Sequence, residues 1–147
     1  MKVKWLDRRV LTGPHLILCT TEKEYLAVMK YFKIKNPASW IGIGNGAVTH
    51  TLTANDSAVS CAVCIDITAK RPLRTVASIL AHESVHVMQE AFRRIQEENP
   101  GDEIQAYVVE HVLEQLLYEY EKRLVRLNRA KARTKEKKNG TADNSDH

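Results

Sequence analysis

Residues 72–98 read PLRTVASILAHESVHVMQEAFRRIQEE, and this stretch sets the architecture. Pro72 opens it, and proline suits the first helical turn because its missing N–H has no helical partner there. On a wheel with about 100° per residue, Leu73, Val76, Ala77, Leu80, Val85, Val87, Met88, Ala91, Phe92 and Ile95 form one broad apolar arc. Thr75, His82, His86, Gln89 and Arg93 take the opposite side. The pattern predicts a helix to about Glu98, with one face on a core and the other towards a cleft. Asn99-Pro100-Gly101 stops it.

The chain on either side completes the plan. Asp102 caps a last helix expected to end near Asn128, with Val108, Val109, Val112, Leu113 and Leu116 as core candidates. Upstream, Val3–Leu6 and His15–Cys19 read as short strands between turns. Thr21-x-x-Glu24 has the form of a capping box, and Tyr25, Leu26, Met29 and Phe32 supply the helical stripe behind it. Asn36-Pro37 ends that helix. Asn45-Gly46, between residues 40–44 and 47–54, predicts a hairpin. Asn55-Asp56-Ser57 marks a second turn, and residues 58–67 form a third strand. The fold class is therefore α+β: a small, mainly antiparallel sheet packed with an N-terminal helix, the 72–98 helix and a long C-terminal helix. At 147 residues one domain is expected, over residues 1–128. Residues 129–147, Lys-rich and then polar, are expected to be a disordered tail.

Charge and cysteine usage narrow the function classes. The formal charge of +4 splits unevenly. Residues 1–121 hold 13 Lys/Arg and 15 Asp/Glu, whereas residues 122–147 hold 9 and 3. The globular part thus lacks the basic balance of a nucleic-acid reader. Contact with nucleic acid is left to the basic tail, where a solvated helix end is the preferred reading. No apolar run spans a membrane and the N-terminus has no signal-peptide pattern, so a cytoplasmic protein is expected. Cys61-x-x-Cys64 has metal-knuckle spacing but no second pair, and on a strand the two side chains point to opposite faces. With Cys19 they are expected to be buried and structural. Gly42, Gly44 and Gly46 precede no helix and no Lys-Ser/Thr, so a turn is preferred to a phosphate loop.

His82-Glu83-Ser84-Val85-His86 is HExxH, the one strong chemical signal in the chain. Residues four apart on a helix differ by about 40° in azimuth and one turn in height, so both imidazoles can converge on one ion. Glu83 lies about 80° further round and can reach a metal-bound water without ligating the metal. Two histidines leave a third protein ligand to be found, and the last helix offers Glu103, Glu110, His111 and Glu114. If the helix runs straight to Glu98, a tight helical pair brings Glu114 or His111 opposite the histidines and leaves Glu103 about 20 Å away.

HExxH, followed by Asp102-Glu103-Ile104-Gln105-Ala106-Tyr107, resembles the Glu-type zincins, or gluzincins. The segment from Ala81 to Tyr107 is similar to small metallopeptidase-like proteins encoded by bacteriophages and prophages. The resemblance implies a minimal zincin-like fold and one Zn2+ held by His82, His86 and Glu103. It further implies Glu83 as catalytic base and Tyr107 as a residue that supports a ligand or an oxyanion. The expected activity is hydrolysis of a peptide or protein substrate. The alternative is a non-catalytic zincin-like protein that acts through protein–protein interaction or assembly.

Overall fold

The computed structural model describes residues 14–53 and 59–142, with side chains to residue 134. The expected strand at Val3–Leu6 and the Asn55-Asp56-Ser57 turn lie outside the described residues, as do residues 143–147. The elements are β1 (His15–Cys19), α1 (Glu22–Tyr31), β2 (Ala47–Thr53), β3 (Val59–Ile65), α2 (Leu73–Arg94) and α3 (Asp102–Ala142). Among the described residues the architecture is α+β, a three-stranded sheet with three helices.

All seven residues of β3, VSCAVCI, are buried. Such a run, apolar but for Ser60, marks a strand covered on both faces, and β3 is the central strand in the order β1-β3-β2. Its odd-numbered residues Cys61, Val63 and Ile65 join Leu16 and Leu18 of β1 on one face. There they pack against Val76, Leu80 and Val87 of α2 and Val112, Leu116 and Tyr120 of α3. Ala62 and Cys64 join Ile17, Cys19 and Leu52 on the other face, under Tyr25, Val28 and Met29 of α1. The result is three layers: α1, the sheet, and the α2–α3 pair.

Two expectations about the sheet are corrected. It is mixed, not mainly antiparallel: β1 runs parallel to β3, and β2 antiparallel to it. The hairpin joins β2 to β3, and no strand forms over residues 40–46. That segment instead makes a turn closed by Asn45 N–H to the Gly42 carbonyl at 3.1 Å, with Gly44 at φ +82°. Glycines at 42, 44 and 46 carry no side chains to pack across a ladder, so a strand there has little to stabilise it. Trp40 and Ile41 anchor the segment under α1.

Both short helices end in the same way. Lys33 and Gln96 take positive φ, and the amide of the next residue bonds back to Met29 and Phe92 respectively, at 3.0 Å in each case. These are Schellman closures without glycine. Pro72 stands at the cap of α2, one position before the helix proper. Helix α3 runs through the basic segment to Ala142, where a disordered tail was expected from residue 129. The Ala, Lys, Arg and Glu of residues 129–138 are good helix formers and account for the extension. Among the described residues, no helix is long and apolar enough to cross a membrane.

Candidate functional site

Helix α2 presents its polar face to β2, which among the described residues is an edge strand of the sheet. Because side chains alternate along β2, Ala47, Thr49 and Thr51 point towards α2 while His50 and Leu52 point towards α1. The cleft between them measures about 360 Å³ and is lined by Asn45, Thr49, Thr51, His82, Glu83, His86, Gln89, Glu90 and Arg93, among others. A second hollow, of about 620 Å³, adjoins it at Gln89 and Arg93 and runs over Met88 and Phe92 to Gln105.

His82 and His86 are exposed to this cleft, with ring Nε2 atoms 3.1 Å apart and ring centroids 4.8 Å apart. Two nitrogens bound tetrahedrally to one zinc stand roughly 3.3 Å apart, from Zn–N bonds of about 2.05 Å. The pair therefore fits two corners of a zinc site. Gln89 Oε1 lies 3.4 Å from His86 Nδ1 and steadies that ring from behind. Glu83 sits at the seam between cleft and core, only 5% exposed. Its Oε2 accepts a 2.6 Å hydrogen bond from the Thr49 hydroxyl of β2. A buried carboxylate held on one oxygen keeps its other oxygen for a reacting group. Ser84, next along, turns inward and donates to the Leu80 carbonyl at 2.7 Å.

The structure thus brings together His82, Glu83 and His86. It does not bring Glu103 or Tyr107 to them. Helix α2 is unbroken to Arg94, and Glu103 lies on the exposed first turn of α3 beyond the linker. Tyr107 is 65% exposed and lines neither hollow. Among the described residues, no three His, Cys, Asp or Glu side chains are gathered so as to hold a metal.

Other candidates resolve elsewhere. His50 faces the α1 layer, where its ring meets Tyr25 at 4.8 Å and its Nε2 lies 3.1 Å from the Trp40 carbonyl. The three cysteines are buried and free, Cys61 on the α2 side and Cys19 with Cys64 on the α1 side. Burial pushes the Cys61 thiol up to about 12. A hydrogen bond with Cys19, then burial, raises that of Cys64. The sequence reading missed Thr49. The available signal was the alternation of β2, which places Thr49 and Thr51 on one face once the core side of Leu52 is known.

No protein-family model matches this chain, and no curated protein and no solved structure matches it. The site is read from its own geometry.

Proposed function

We propose that the chain is a zinc-dependent peptidase whose centre lies between α2 and β2. The observation that carries this reading is the imidazole pair, 3.1 Å apart over a cleft, beside a buried Glu83 that an edge strand holds in place. His82 and His86 would hold the ion. The gluzincin resemblance implies Glu103 as third ligand, although it stands on the exposed first turn of α3, apart from the two rings. When bound, zinc supplies Lewis acidity, polarising a carbonyl and acidifying water.

The chain's own residues supply the rest. Glu83 accepts a proton from the attacking water on the oxygen that Thr49 leaves open, and returns it to the departing amine. The outer edge of β2 has no strand partner among the described residues. Its main-chain N–H and C=O groups offer an extended peptide a place to add as a further strand. Gln89, Glu90 and Arg93 line the far end of the cleft, where substrate side chains would meet them.

Zinc content and hydrolysis of a peptide library test this together. Glu83→Gln is expected to keep zinc and lose at least about a hundredfold in kcat/KM, the range of a general base. His82→Ala is expected to lose both. A Glu83→Gln protein that still cleaves peptides removes the assigned role. A zinc-loaded wild type that cleaves none leaves the non-catalytic zincin-like alternative. Glu103→Gln tests the third ligand: zinc affinity more than tenfold weaker supports ligation, and retained affinity excludes it.

A further inference from the structure

The last part of α3 differs in charge from the rest of the molecule. Residues 122–147 hold 9 Lys/Arg and 3 Asp/Glu, against 13 and 15 in residues 1–121. Residues 128–134 are all exposed, and the helix continues to Ala142, about 21 Å beyond Asn128. Arg123 is engaged by Glu24 and Glu119. The cations further along follow a pattern of their own. On a wheel the positions of Arg126, Arg129, Arg133 and Lys137 share an arc of about 80°. Those of Lys131, Lys135 and Lys138 share an arc of about 60°, and the two arcs are centred roughly 160° apart. Ala130 and Thr134 stand between the rows on one side, and Ala132 on the other. A solvated helix end explains the excess of charge but not this two-sided order.

The order selects the occupant. From Asn128 to Lys138 no apolar residue is larger than Ala. The stretch therefore has no apolar face to sink into a lipid interface, and no apolar seam for a partner helix. An acidic surface met side-on engages one row and leaves the other in water. Cations on opposite sides of one helix are matched where anions stand on both sides at once. The major groove of B-form DNA is about 12 Å wide and admits a helix of about 10–12 Å diameter, with a phosphate strand along each wall. The A-form groove of duplex RNA is too narrow for this.

We propose that the basic end of α3 lies in the major groove of double-stranded DNA. Arg126, Arg129, Arg133 and Lys137 face one phosphate wall, and Lys131, Lys135 and Lys138 face the other. From Arg126 to Lys138 the helix rises about 18 Å, which spans about five base pairs. The contacts are to phosphate, so binding tolerates any sequence. The metal site takes no part in it.

Fluorescence anisotropy of the full chain with a labelled, mixed-sequence DNA duplex of about 16 base pairs tests this. The expected Kd is about 1–100 µM at about 0.15 M salt, and log K falls against log salt with a slope of about −6 for seven phosphate contacts. Arg126→Gln/Arg129→Gln/Arg133→Gln depletes one row and Lys131→Gln/Lys135→Gln/Lys138→Gln removes the other, and Gln keeps the helix. Each triple variant is expected to bind at least about tenfold more weakly, with a slope shallower by about 3. Ala130→Pro keeps every charge and breaks the helix, and is expected to lose at least about tenfold as well. Duplex RNA of the same length and phosphatidylserine vesicles are expected to bind at least about tenfold more weakly than DNA. No binding to DNA at about 100 µM, a loss confined to one row, an Ala130→Pro chain that binds like wild type, or RNA or vesicles bound as tightly as DNA would each overturn the proposal.

Discussion

Thr49 shows how much of the site depends on one side chain outside the motif. Its hydroxyl bonds the buried Glu83 carboxylate at 2.6 Å, and no other hydrogen bond is assigned to that group among those described. In Thr49→Val the shape remains and the donor goes. Peptide hydrolysis is expected to fall about tenfold or more, with zinc content unchanged and Thr49→Ser restoring the rate. Asp66, where β3 leaves the sheet, is a second single-residue case. Burial pushes its carboxyl up, but the Thr68 hydroxyl and amide, both at 2.7 Å, outweigh this and hold it below the usual carboxylate range. A lowered folded value contributes stability above the unfolded value that is lost as pH falls through the folded one. Stability of Asp66→Asn is therefore expected to fall less steeply than wild type below about pH 4, as read by urea unfolding at several pH values.

At the scale of elements, the legible parts were those with a strong period. The α2 wheel separated core from cleft, and the capping signature located α1, although Glu24 departs from the usual box. Its carboxylate accepts from Thr20, N–H at 2.7 Å and hydroxyl at 3.0 Å, one residue earlier than expected. The 40–46 segment misled because Asn-Gly is a turn signal that says nothing of whether strands flank it. The distance from Glu103 to the histidines depended on where α2 ends, and that is set by the Gln96 closure, which no glycine announces. Also unannounced was the link that fixes α3 to the first half of the fold. Arg123 donates to Glu24 at 2.7 Å, to the Thr20 hydroxyl at 3.3 Å and to Glu119 at 3.1 Å. Glu119 is only 3% exposed. Arg123→Met is expected to cost about 3 kcal/mol because it removes the cation from beside that buried carboxylate. The double variant Arg123→Met/Glu119→Leu should recover part of the loss, since the buried carboxylate is removed together with its cation, while Glu24 still loses the Arg123 bond. Chemical denaturation of the three proteins checks this.

For the whole molecule, the central strand makes the layers interdependent. Cys61 looks into the α2–α3 layer, while Cys19 and Cys64 look towards α1. If the layers unfold as one unit, all three thiols are expected to react with a thiol reagent at pH 8 at one common slow rate, equal to the global opening rate. Separate rates for the two faces would show that α1 opens alone. Beyond the layers stands the far end of α3, where residues 128–134 are all exposed. A helix rooted at one end and bare at the other is a cantilever. Each turn from Asn128 to Thr134 rests on its own backbone bonds, while Arg129, Lys131 and Arg133 crowd along it and repel. Dissolved ions mute that repulsion, so salt is expected to steady this overhanging stretch, which helicity followed across a salt series would check.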